Sequence, residues 1–276
     1  MTWHNCSPGA GRVALARSNT AGIVPADPVY LVTAETLGEQ LNLPVLPVGT
    51  VARDCTEFDL LLHCGDGLSL QLTGRRAPGP VTVDFGAADM RHRRQSGHNE
   101  LLGRAVGVGK KSSLHVVDAT AGLGRDSFVL ADLGCHVLMC ERNPLIQSLL
   151  SDGLARAVRG DSWLQEVSGR MVLWQGDSTL APQRVDDPRD VIYLDPMFPA
   201  RDKSAAVKKE MALFQFLLQD DNQDQAGLLH WALAQDVARV VVKRPPKAGF
   251  LDELKPSHSI KGKAVRYDVH VLRALA

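Results

Sequence analysis

Apolar and polar positions along this chain follow two periods, and the switches between them mark its elements. Short apolar runs at residues 114–118, 135–141, 171–175 and 190–194 have strand length, and each ends at or just before an acid: Asp118, Glu141, Asp177 and Asp195. Between and after them, residues 125–133, 144–159, 204–218 and 227–237 carry apolar side chains at helical spacing, and 239–242 and 265–272 read as further strands. Regular alternation of strand and helix predicts an α/β chain built on a doubly wound, mostly parallel sheet.

Earlier in the chain the periods are shorter. Residues 12–17, 29–32 and 81–85 read as strands. Residues 33–43 read as a helix capped by Thr33 and stopped by Pro44, and 58–72 as a hairpin turning at Gly65-Asp66-Gly67. A small α+β amino-terminal domain is therefore expected over 1–80, with the larger domain over 81–276 after the Pro- and Gly-containing link at 75–80. The stripe Val207, Met211, Phe214 and Leu218 is expected to pack in the core, with Lys203, Lys208 and Lys209 on the exposed face, where Lys203 and Lys208 are candidate RNA contacts.

With 276 residues the chain can bury a large core, and its 31 basic and 31 acidic side chains cancel. Any nucleic-acid surface must then be local. Two stretches offer one: Arg91, Arg93 and Arg94 around His92, and residues 239–266, where eight Lys or Arg, including Lys243 and Arg244, face only Asp252 and Glu253. Five cysteines without C-x-x-C spacing predict buried reduced thiols, not a disulfide framework or a metal site. No stretch has the apolar length of a membrane span, so a soluble cytoplasmic protein without a membrane partner is expected.

Candidate chemistry begins at D-A-T-A-G-L-G-R-D, residues 118–126. Gly122 and Gly124 lie between a strand and a helix, where bare backbone can approach a ligand and the helix start offers unpaired N–H groups. Glu141, ending the next strand about 20 residues on, suits ribose hydroxyls. The dinucleotide fingerprint G-x-G-x-x-G is not met. The added charge of Asp118 suits a ligand with a cationic or amino-acid end, such as S-adenosylmethionine. Asp177 and Ser178, after the third strand, stand where such a ligand's adenine would lie.

D-P-M-F at 195–198 is similar to the [DN]-P-P-[YF] string of methyltransferases that act on exocyclic amines of bases. The Asp195 carboxylate and the Pro196 carbonyl can accept both N–H bonds of an amine, drawing its lone pair out of conjugation, while Phe198 stacks on the base. Met197 stands where the second proline is usual.

Longer strings carry a closer resemblance. V-D-A-T-A-G-L-G-R-D-S-F-V-L-A (117–131), C-E-R-N-P (140–144), Y-L-D-P-M-F-P (193–199), K-S-A-A-V-K-K-E-M (203–211) and V-V-V-K-R-P (240–245) closely resemble the ribosomal RNA small subunit methyltransferase J family, and V-D-F-G-A-A-D-M-R-H-R-R (83–94) does so more loosely. The resemblance implies a Rossmann-like methyltransferase sheet and S-adenosylmethionine-dependent methylation of the N2 amine of one guanosine near the 3′ end of 16S ribosomal RNA, free or in the small ribosomal subunit. It places the donor against Arg125, Asp126, Glu141, Arg142, Asp177, Ser178 and Asp195, with no metal. Two other readings fit the residues themselves: an adenine-N6 nucleic-acid methyltransferase on the same fold, and a non-catalytic RNA-binding protein of ribosome assembly.

Overall fold

The computed structural model describes residues 21–95, 100–181, 189–196, 205–218 and 225–275. The expected strand at 12–17, Met197, Phe198 and Lys203 lie outside them.

A small sheet opens the described chain. β1 (Ala21–Pro25) is followed by a 3-10 turn (Pro28–Tyr30) and α1 (Leu31–Leu41), and β2 (Leu60–Cys64) and β3 (Leu68–Leu72) form the expected antiparallel hairpin. β1 adds to β2 in parallel. The strand expected at 29–32 is not formed. The Asp27 side chain accepts from the Val29 N–H at 3.1 Å and Pro28 fills the first turn, so a helix-start signal overrides a short apolar run. Val29 and Val32 stay largely exposed, and Thr33 falls inside α1 instead of capping it. Residues 81–85 alternate between buried and exposed as a strand would, but only Val81 finds a bridging partner, Leu70.

α2 (Ala88–Gln95) and α3 (Glu100–Val106) lead to the main sheet: β4 (His115–Asp118), α4 (Arg125–Asp132), β5 (His136–Glu141), α5 (Pro144–Ala157), α6 (Ser162–Ser168), β6 (Met171–Gln175), β7 (Val191–Leu194), α7 (Ala205–Leu217), α8 (Gln225–Leu233), β8 (Arg239–Arg244), β9 (His258–Lys261) and β10 (Arg266–Val271). The strand order is β6-β5-β4-β7-β8-β10-β9, with β10 antiparallel to both neighbours and the other pairs parallel. The chain winds outward from β4 through β5 and β6, then returns to β4's other side as β7. The switch point between β4 and β7 opens a crevice at their carboxyl ends, where ligands bind in such sheets.

Central strands are apolar on both faces because helices cover both. Val116, Val137, Met139, Tyr193 and Val241 join a core with α4, α5 and the small sheet, while Val117, Ile192, Val240 and Val242 pack with Leu229 and Ala232 of α8. The small sheet is fixed to α5 by polar contacts as well. Asp152 Oδ2 accepts from the Leu68 N–H at 3.0 Å and from Arg156 Nε at 2.9 Å, and Arg156 also donates to the Val83 carbonyl. Gly153 sits so close to Val83 that a β-carbon there would overlap it. Among the described residues the cysteines are free thiols; Cys64, Cys135 and Cys140 are buried, and burial pushes the Cys64 thiol up to about 11.

Candidate active site

The carboxyl ends of β4, β5, β6 and β7 surround one cavity of about 550 Å³. Asp118, Gly122, Arg125, Asp126, Glu141, Arg142, Asp177, Ser178, Asp195 and Lys243 all line it. Gly124 does not. It caps α4 at φ +70°, and a β-carbon there would lie 2.8 Å from Leu150 Cδ2, so its bare backbone serves packing under the turn. Gly122, at φ +55°, is the glycine that lines the cavity.

Backbone donors hold the acids of β4 and β5. Glu141 Oε2 accepts from the Gly122 N–H at 3.1 Å and Oε1 from the Asn143 N–H at 2.7 Å, which ties the glycine turn to the end of β5. Asp118 is 2% exposed; its oxygens accept from the Ser127 hydroxyl at 2.5 Å and the Thr120 N–H at 3.2 Å. Burial outweighs these bonds and pushes both carboxyls up to about 7. Asp177, two residues past β6, accepts from the Thr179 N–H and hydroxyl at 2.8 and 2.7 Å.

A different arrangement holds Asp126 and Asp195. Lys243 Nζ, on β8, lies 2.6 Å from Asp126 Oδ2 and 2.7 Å from Asp195 Oδ2, and the Tyr193 hydroxyl donates to the same Asp126 oxygen at 2.6 Å. The Asp195 N–H donates to Thr120 Oγ1 at 2.7 Å, which locks the end of β7 onto the turn after β4. Burial alone would lower the Lys243 ammonium, but the two carboxylates reverse this and hold it well above its ordinary value.

The basic residues expected to face RNA are placed otherwise where they are described. Lys243 lines the cavity, bridging two acids. Arg244 is 7% exposed and spends its guanidinium on the Gly249 carbonyl, at 2.8 and 3.2 Å. Strand pairing sends these adjacent side chains to opposite faces of the sheet, and each is engaged within the protein there, so the described geometry does not present them as the RNA contacts expected. Arg91 is exposed but engaged, with Asp161 at 2.7 Å and its guanidinium 4.9 Å from the Trp163 ring centroid. Arg93, Arg94 and Lys208 lie in helices whose side chains there are not described. Lys209 donates to the Pro80 carbonyl at 2.7 Å.

Several lining residues escaped the sequence reading. Glu210, Phe214, Leu217 and Leu218 bring α7 over the cavity, Leu228 brings α8, and Arg125 Nη2 reaches Glu210 Oε1 at 2.7 Å. Phe214 and Leu218 belong to the stripe expected to be core packing. The same apolar face supplies core contacts and a cavity wall, and periodicity cannot separate those uses.

A family model described as putative SAM-dependent methyltransferase matches residues 48–272. Proteins named ribosomal RNA small subunit methyltransferase J are similar along most of their length. The one from Thioalkalivibrio sulfidiphilus is 52% identical over 242 residues, covering 86% of this chain and 92% of its own, and one from Pseudomonas fluorescens is 46% identical, covering 98% and 99%. The chain belongs to the ribosomal RNA small subunit methyltransferase J family. A crystal structure of a SAM-dependent methyltransferase from Neisseria gonorrhoeae overlays this methyltransferase with a TM-score of 0.69 at 34% identity, covering 93% of this chain and 98% of that one.

S-adenosylmethionine fits what the cavity offers. Its volume lies in the ~300–1,000 Å³ range of small-molecule sites, it combines apolar walls with convergent acids, and the Glu141 carboxylate, with about four acceptor sites, retains capacity beyond its backbone donors. Among the described residues of the methyltransferase no group of three His, Cys, Asp or Glu could hold a metal ion, and no helix is long and apolar enough to cross a membrane.

Proposed function

We propose that this methyltransferase modifies the exocyclic N2 of one guanosine near the 3′ end of 16S ribosomal RNA, within the RNA or the small subunit. The observation that carries the reading is the position of Asp195. Its carboxylate lines the same cavity as Glu141 and Asp177, and its backbone is anchored to Thr120 by the donor-side turn. The names of the similar proteins support the RNA substrate.

Glu141 is assigned the ribose hydroxyls of the donor, Asp177 and Ser178 its adenine, and Asp118, Gly122, Arg125, Asp126 and Arg142 the remainder. Bound there, S-adenosylmethionine supplies an electrophilic methyl group. Asp195 and the Pro196 carbonyl accept the N–H bonds of the guanine amine, which frees its lone pair, and Phe198 is assigned the face of the base. Holding an amine in line with a methyl group is catalysis by positioning, and needs no residue to become covalently attached. Arg93, Arg94, Lys203 and Lys208 keep a proposed role on the RNA backbone, from sequence alone.

The test is transfer of labelled methyl to small-subunit RNA and particles from cells lacking this protein, followed by nucleoside analysis. Label in N2-methylguanosine is expected. Label in N6-methyladenosine would replace guanine by adenine, and no label on either substrate would favour a non-catalytic role in assembly.

A further inference from the structure

Lys243 is separated from Asp195 by 48 residues and from Asp126 by 117, yet its ammonium sits within hydrogen-bond reach of both. Asp126 belongs to the first turn of α4, directly after the glycine turn, and its side chain is 11% exposed; that of Asp195 is 37% exposed and stands at the cavity's open side. Tyr193, buried among acids and kept far from ionising by that burial, donates to Asp126 from below. The four side chains form one hydrogen-bonded chain, Tyr193, Asp126, Lys243, Asp195, along which exposure rises from the buried tyrosine to the part-exposed Asp195.

We propose that Lys243 is the positioning residue of the transfer reaction, clamping the Asp195 carboxylate to Asp126 so that the acid meeting the amine and the helix beside the donor are held as one unit. The inference rests on the reading of Asp195 above. Replacing all three side chains by apolar ones would avoid the desolvation cost of three charges, so stability alone gives weak grounds for a charged group of three here. Reactivity gives stronger grounds. A protonated Asp195 would turn one acceptor into a donor and repel an amine N–H, and an ammonium 2.7 Å away opposes that protonation. The charged and titratable groups around the clamp include Asp126 of α4, Tyr193 and Asp195 of β7 and its end, Asp118 of β4, and Tyr267, paired with Lys243 across the β8–β10 ladder.

The test compares Lys243→Met, Lys243→Arg and Asp195→Asn in the full chain, reading methyl transfer to small-subunit RNA against pH and donor affinity by calorimetry. Lys243→Met should lower kcat at pH 7 by about 10- to 100-fold while donor affinity changes less than about threefold, and should move the acid limb of the kcat profile upward by about 1 to 3 pH units. Lys243→Arg should restore the limb. Because Asp118 and Glu141 titrate in the same range, the limb is compared between variants instead of being assigned in the wild type alone. If Lys243→Met proves unstable on thermal unfolding, Lys243→Gln, which keeps a neutral donor, should show the same shifted limb.

A rate lowered equally at every pH, or no rescue by arginine, would overturn the clamp. An inactive Asp195→Asn beside an unshifted Lys243→Met profile would sink the clamp and leave the role of Asp195 standing. Near-normal turnover by Asp195→Asn, whose amide oxygen still accepts from an amine, would overturn the need for an ionised Asp195 and with it the clamp. Label on a different base in the wild type would change only the substrate, since the pH comparison reads transfer whichever nucleoside receives it.

Discussion

The two halves of the cleft hold their acids by opposite means. On the β4–β5 side, Asp118 and Glu141 are held by neutral donors: backbone N–H groups of Thr120, Gly122, Arg142 and Asn143, and the Ser127 hydroxyl. On the β7–β8 side, Asp126 and Asp195 share an ammonium. Neutral donors fix direction but repay only part of the cost of burying charge, so both carboxyls on the first side are pushed up to about 7. An ammonium repays charge with charge. One half of the site is therefore tuned toward proton exchange near neutral pH, and the other is held by an ion pair.

The strongest way to break this contrast is Asp195→Ala. It should lower methyl transfer by about 100- to 1,000-fold, the scale of losing a preorganised acceptor at the reacting group, with donor affinity nearly unchanged in calorimetry. Glu141→Ala acts on the other half. Losing charge-assisted hydrogen bonds there should weaken donor binding by about 10- to 100-fold, and kcat at saturating donor should fall far less. The smallest effect sharpens the contrast by pH alone. With folded values near 7 against ordinary values of 3.8 and 4.5, Asp118 and Glu141 favour the ligand-free fold most below about pH 4, and that contribution is lost as pH rises through 7. Thermal unfolding of the ligand-free protein should show this decline. Hydroxyls donating to Glu141 favour its ionised form, so donor affinity should rise by about three- to tenfold between pH 6 and 8, with proton release detected by calorimetry in buffers of different ionisation enthalpy. A pH-independent affinity without proton release would mean that Glu141 is already ionised in the free protein.

What the sequence made legible divides along the same line. Asp118 and Glu141 end successive strands around a glycine turn, so a local reading of periods and spacing reaches both, and Asp177 and Asp195 follow by the same rule. Lys243 could not be found that way. A lysine after an apolar run signals a solvated strand end unless the register against Tyr193 and the first turn of α4 is known, and register is a property of the assembled sheet. The misread run at 29–32 has a local cause, since Asp27-Pro28 is a helix-start signal that the apolar residues outweighed in the reading. β9 was missed because its four residues, His-Ser-Ile-Lys, alternate too briefly to register as a period. α7 was found with the right span, but its face toward the cavity was assigned to the core, because Phe214 looks alike in either place.

The seam between the small sheet and α5 has a mechanical consequence. Asp152 and Arg156 are bound to the backbone at Leu68 and Val83, while Gly153, one residue away, permits contact too close for any larger side chain. A joint with both a bolt and a zero-clearance face neither swivels nor slides. α5 is capped by Asn143, whose N–H holds Glu141, so one helix joins the amino-terminal sheet to the rim of the cavity. The spacing between the small sheet and the acids of the cavity is therefore set by the length of one helix, and the reach of the molecule is built into its frame.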